Sequence, residues 1–303
     1  MTAVFDQVLI LFCFIAAGYT LCRLGIIKSE HAKILSGLLV YVFSPCNSFS
    51  TFSNNFTPAY ITDNYHLLTA SVVTIILLAV PMHFIAKLFT KNEYDRGVYE
   101  YSLVLANYGY MGYTLANGLL GEIGMLNLMV FCIPALIYTY TYGYCRLTKS
   151  GLSPKKLLNP VVIGILLGMA VGLFGIELPT VVKTVSSMAS SCMGPVSMLL
   201  AGIVVSEFDV KRLIVNPRTY IMTALRLVVI PLIIGCILKL IGANAAITAS
   251  VMIFVSMPCG LNTIVFPKMV DENCEIGASL ALTSNVFACF TVPVVLTLFG
   301  VGA

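Results

Sequence analysis

Apolar residues fall along this chain in long blocks separated by short polar stretches. A hydrocarbon core of ~30 Å needs about 20 apolar residues in a helix. Ten blocks meet that length, at roughly 4–24, 33–53, 66–89, 97–119, 125–145, 160–176, 179–206, 219–241, 246–267 and 277–300. The connections are too short for a separate soluble domain. The first block, "MTAVFDQVLILFCFIAAGYTLCRLG", lacks the basic leader of a secretory signal and reads as a retained span.

Charge orients these spans. Alternate connections carry Arg23, Lys28 and Lys33; Lys87, Lys91 and Arg96; Arg146, Lys149, Lys155 and Lys156; Lys211, Arg212 and Arg218; and Lys268, together 14 of the 17 Lys and Arg. The intervening connections, such as "TFSNNFTPAYITDNY", have almost none. The positive-inside rule then places the basic connections in the cytoplasm and both termini outside it.

Composition agrees. Of 303 residues, 59% are hydrophobic and 10% charged, with a mean hydropathy of +0.97, whereas about a quarter of a soluble domain is charged. The sequence describes a multi-pass protein of the plasma membrane whose first partner is the lipid bilayer. Its net charge of +4 bears on orientation and gives no reason to expect nucleic acid. The ten cysteines are scattered without a CxxC pair, as small buried hydrophobes are. His31, His66 and His83 stand apart, which argues against a metal site. No nucleophile–base arrangement or cofactor loop supports an enzyme.

The prolines and glycines repeat. Pro45 and Pro195 are 150 residues apart, Pro81 and Pro231 also 150, Gly109 and Gly260 151, and Pro134 and Pro293 159. Each pair joins span n to span n+5. Five spans being odd, the second copy enters the membrane from the opposite face, giving an inverted repeat as in many secondary transporters. The expected fold is thus all-α, with ten transmembrane helices in a 5+5 inverted repeat: residues 1–146, a cytoplasmic linker at 147–159, and residues 160–303.

Spans four and nine carry residues that interrupt helices. "LVLANYGYMGYTLANG" (103–118) places Asn107, Tyr108, Gly109, Gly112 and Asn117 in one. "SMPCGLNTIVF" (256–266) places Pro258, Gly260, Asn262 and Thr263 in the other. Unpaired backbone is tolerated at membrane depth only inside protein or beside a watery cavity. The alternative is that the glycines merely let helices pack closely. Two breaks meeting near the midplane would aim helix amino ends at one small volume, which suits an anion. Asn107 and Asn262 could bind a carboxylate or satisfy unwound backbone. Supporting positions are Pro45, Asn47, Pro195, Arg226 and Asn285.

No Asp or Glu lies within six residues of Asn107 or Asn262. Glu100 reads as a solvated or paired surface carboxylate. Arg226 either snorkels to the cytoplasmic headgroups or supplies charge to an anion pathway. The run Tyr138, Tyr140, Tyr142 and Tyr144 reads as an interfacial belt.

With these motifs the chain resembles the auxin efflux carrier family, which includes plant PIN-FORMED carriers and bacterial malate or malonate permease-like proteins. The resemblance spans essentially the whole chain and is strongest in "ANYGYMGYTLANGLLG", "NPVVIGILLGMAVGLFGIELP", "GPVSMLLAGIVVSEFD" and the last third from "SMPCGLNTIVFPKMV". Of the family phrase N-x-G-F-x-G-x-P-L, Asn107, Gly109 and Gly112 match, Tyr110 replaces the aromatic, and Thr114 stands where proline is usual. Pro258 matches the family's crossover proline. The resemblance implies a fold like that of bile acid sodium symporters, with crossover helices 4 and 9. Spans 1, 2, 6 and 7 would form a scaffold, and 3–5 with 8–10 a mobile transport domain. It implies a small organic anion, such as malate, malonate or an auxin-like acid, moved by an elevator-type shift, and it leaves a homodimer open. The short connection "RLTKSGLSPKKLLNP" places the chain nearer the bacterial branch. The rival readings are a sodium- or proton-coupled symporter of the same fold and a non-transporting membrane receptor or channel.

Overall fold

Asparagine side chains start several of the helices. In the computed structural model, Asn92, Asn159, Asn216 and Asn244 each accept a hydrogen bond from a backbone amide of the first turn, satisfying donors that a helix start leaves free. Prolines at the first helical positions of 58, 160 and 217 need no such donor. The structure describes residues 2–151, 158–207, 216–268, 270 and 272–302. Lys155, Lys156, Lys211 and Arg212, part of the linker at 147–159, and the side chain of Lys268 lie outside the described residues.

All regular structure among the described residues is helical. The helices are α1 (Thr2–Arg23), α2 (Ser29–Asn55), the short α3 (Pro58–Asn64), α4 (His66–Phe89), α5 (Glu93–Val104) and α6 (Tyr108–Phe131). Then come α7 (Ile133–Tyr138, continuing through Thr139–Gly143 and Tyr144–Thr148), α8 (Pro160–Phe174) and α9 (Thr180–Ser206). Last are α10 (Pro217–Leu240), α11 (Ala245–Ser256), α12 (Asn262–Lys268) and α13 (Glu275–Leu298). Seven of these, α1, α2, α4, α6, α9, α10 and α13, are long and apolar enough to cross a membrane, and α8 and α11 are shorter apolar helices. The difference from ten uniform spans is physical. The chain leaves helical geometry at Leu105 (φ −108°, ψ 131°), at Gly121 (φ 70°, ψ −169°) and at Met257 (φ −68°, ψ 147°). The apolar blocks there are therefore cut into half-length pieces; α5, with 12 residues, is only ~18 Å long.

Among the described residues the α1–α9 and α2–α8 pairs touch backbone to backbone, as α12 and α13 do at Thr263 and Gly277. A side chain added at Gly18 of α1 would strike the Leu199 carbonyl of α9, and one at Gly202 would strike that of Ile15. Gly164 and Gly168 of α8 meet the carbonyls of Pro45 and Phe49 of α2 in the same way. Lipid offers helices no hydrophobic reason to associate, so close dispersion contact of this kind holds them. Outward faces are apolar: Phe84, Leu88, Leu166 and Leu240 are all exposed.

Among the described residues four helices widen into i→i+5 turns, at Leu39–Phe43, Tyr108–Gly112, Thr139–Gly143 and Leu225–Val229. Pro45 and Pro231 each follow such a turn by two residues. A proline inside a helix lacks a donor and clashes with the carbonyl four residues back, which the wider turn relieves.

Candidate functional site

Where α5 and α11 end, their extended continuations run against each other. Ala106 and Cys259 pair antiparallel, and the Asn107 amide donates to the Pro258 carbonyl at 2.8 Å. Arg226, in the wide turn of α10, has no solvent exposure. Its guanidinium donates from Nη1 to the Leu103 carbonyl at 2.9 Å, from Nη2 to Phe254 at 3.1 Å and from Nε to Met257 at 3.2 Å. It thereby caps the carbonyl ends of both half-helices and offsets their negative dipole ends. One sequence-based alternative for Arg226 needs correction: with no solvent exposure it does not reach the headgroups, and it is not among the residues that line the cavity described next.

A cavity of about 80 Å³ lies where the second halves begin. Five of the candidate residues line it: Asn107, Tyr108, Gly109, Gly260 and Asn262. Asn107 is 3% exposed, and its Nδ2 has no hydrogen-bond partner. The amides of Tyr108, Gly109 and Tyr110 open the next helix, where backbone donors lack intrahelical partners. Asn262 differs, because its Nδ2 donates to the Tyr101 hydroxyl at 3.0 Å. Nothing lies within 4 Å of where a Gly109 side chain would begin. Among the described residues no charged side chain lines this cavity, whose lining offers backbone and side-chain dipoles.

The other candidates sit elsewhere. Thr263 is buried and donates to the Gly260 carbonyl at 2.9 Å, steadying the start of α12. Gly112 faces Met257, Pro258 is buried in the crossing, and Asn285 donates to the Ala281 carbonyl at 2.7 Å. Asn47, Asn117 and Pro195 line a second cavity of about 170 Å³ together with Glu122. There Asn47 accepts from Ser190 at 2.7 Å, and its Nδ2 is unpartnered. Tyr113 and Met193 line both cavities and so partition them.

The model of a family described as membrane transport protein matches residues 3–155 and 148–296. The chain belongs to this family. It is the auxin efflux carrier-type membrane transport family. An uncharacterized transporter of Methanocaldococcus jannaschii is 25% identical over 300 residues, covering 95% of this chain and 96% of that protein. The chain is thus a multi-pass membrane transporter, a class that is generally not enzymatic.

In this member of the transport family, several lining residues had no mark in the sequence as ligands. Ser44 and Ser48 of α2, and Thr139 and Tyr140 of α7, complete the first cavity. The proline after Ser44 was the available sign, since it forces the wide turn. The tyrosine belt is corrected: Tyr140 lines the cavity, Tyr144 stacks on Phe266 at 5.0 Å, and Tyr142 donates to Glu100 at 3.0 Å. Glu100 is paired, as one sequence-based alternative has it, but it is not at the surface. It is buried, at 3% exposure, and paired with His83, because the α4–α5 packing encloses it.

Proposed function

We propose that this transporter carries a small organic anion, a carboxylate such as malate, malonate or an auxin-like acid, across the cytoplasmic membrane by elevator-type alternating access. The observation that carries the reading is the Asn107 amide, buried without a partner in a cavity at the start of α6. An unmet buried donor costs about 1–3 kcal/mol, and a carboxylate oxygen would satisfy it beside the free amides of the helix start. The cavity, about 80 Å³, is several times the ~10–15 Å³ that a single water needs and suits a small acid better than a sterol-sized amphiphile.

In this reading α5 with the first part of α6 is one crossing, the chain from 122 through α7 the next, and α11 with α12 another. That gives ten, in two inverted halves of 1–146 and 160–303, with both termini outside the cytoplasm. The glycine-tight pairs α1–α9 and α2–α8 support a rigid scaffold, against which the rest would move. The test is uptake of radiolabelled malate and malonate into proteoliposomes. Asn107→Ala should weaken apparent affinity about ten- to a hundredfold, through loss of a hydrogen bond to a charged group worth about 1.5–3 kcal/mol. Uptake of both acids no faster than in protein-free vesicles, or wild-type affinity in a folded Asn107→Ala, would refute it.

A further inference from the structure

Among the described residues, two charged side chains are buried: Arg226 and Glu100. The first is committed to three carbonyls. The second has no role in the anion cavity, yet holding a carboxylate at membrane depth is costly unless it is partnered. Its partners are themselves titratable. Glu100 Oε2 lies 3.2 Å from His83 Nδ1 of α4, and Oε1 accepts from the Tyr142 hydroxyl of α7 at 3.0 Å. The Glu100 side chain is 4% exposed and that of His83 39%, so the imidazole links an enclosed carboxylate to an accessible edge. Both line a recess of about 330 Å³ with Val80, Phe84, Tyr138 and Tyr142.

We propose that Glu100 and His83 form a proton-carrying site that couples the transporter to a pH gradient. The inference rests on the transport reading above. With one proton the pair is net neutral, and the loaded protein carries only the anion's charge. Without it the loaded protein would carry Glu100's charge as well, which the bilayer opposes moving, whereas the empty deprotonated protein carries Glu100's charge alone. The proton enters from the compartment the site faces, crosses with the anion, and leaves on the other side before the unloaded protein returns. Glu100 is placed to transmit its state. It shares α5 with Tyr101, whose hydroxyl accepts from Asn262 of the anion cavity at 3.0 Å, and α5 ends at Val104, three residues before Asn107.

The surrounding charges leave the pair distinct. On α4, Lys87 follows His83 by one turn and lies over the Phe84 ring at 4.9 Å. From α7 come Tyr138, Tyr142 and Arg146, and on its own helix Arg96; both arginines are bridged to Glu93. From α10 and α13 come the engaged Arg226 and the exposed Glu275.

Two measurements on the full-length protein test the site. Infrared difference spectra between acid and alkaline buffers should contain a protonated-carboxyl band that vanishes in Glu100→Gln and is altered in His83→Gln. In proteoliposomes, malate accumulation should shift about tenfold per unit of imposed pH gradient for one coupled proton. In Glu100→Gln, which keeps the side-chain shape, that dependence should disappear. A carboxyl spectrum unchanged by Glu100→Gln, or a gradient response that survives it, overturns the proposal. Absence of any malate or malonate uptake would overturn the transport reading instead, and the infrared titration would still decide the proton site.

Discussion

Gly109 and Gly112 separate two reasons for a glycine. A side chain begun at Gly112 would meet Met257 and Leu128 at ordinary contact distance, whereas one at Gly109 meets nothing and enters the cavity. Gly109→Val should therefore leave the thermal midpoint in detergent close to wild type, since no steric clash arises and valine is not a poorer helix former than glycine. Malate affinity should fall by about tenfold or more, because three added carbons enter a cavity of only about 80 Å³. Unaltered uptake would mean that the anion does not occupy this cavity. Asn107 was legible as a polar residue in an apolar block. The contrast with Asn262 was not, because the amide of Asn262 is engaged by Tyr101, 161 positions away. Ser44 and Ser48 join the site only through packing of α2 against the crossing, so no local pattern marks them.

At the scale of elements, the apolar blocks located the long helices well. The blocks at 66–89 and 179–206 became His66–Phe89 and Thr180–Ser206, because lipid exposure demands unbroken apolar surface and a helix satisfies its own backbone. Glycine and proline also announced that the apolar blocks at 97–119 and 246–267 are interrupted. What holds the interruptions together was not legible: the carbonyls that Arg226 binds lie 28 to 123 positions from it. Those bonds give a prediction. Arg226→Met leaves three buried carbonyls unmet, at about 1–3 kcal/mol each, so it should destabilise the protein by at least about 3 kcal/mol. Arg226→Lys restores the charge without the three-pronged donor and should recover only part of the loss. Thermal unfolding in detergent should rank wild type above Lys and Lys above Met; a Met variant as stable as wild type would remove the capping role.

For the whole molecule, the distribution of tight and loose contacts marks where motion is cheapest. The α1–α9 and α2–α8 pairs meet through glycines with carbonyls against Cα positions, a contact that cannot slide without losing its close fit. Between α2 and α9 on one side and α6 on the other lie both polar cavities, divided by Tyr113 and Met193. In the proposed elevator, the cavities and unmet amides at that boundary, Asn47 and Asn107 among them, would make it the slip plane. Thr114 on α6 and Gly194 on α9 face each other across it: a Cβ built at Gly194 would lie 3.4 Å from that of Thr114, close to the ~3.5–4.5 Å that a disulfide requires. The ten native cysteines are free among the described residues and would first be replaced. Thr114→Cys with Gly194→Cys, once oxidised, should bring malate turnover to the background of empty vesicles while malate binding to the purified protein stays measurable. Reduction should restore transport, which separates locking from misfolding. Normal turnover by the fully oxidised protein would mean that α6 need not move past α9, and a pathway gated locally, or an open channel, would then fit the fold better.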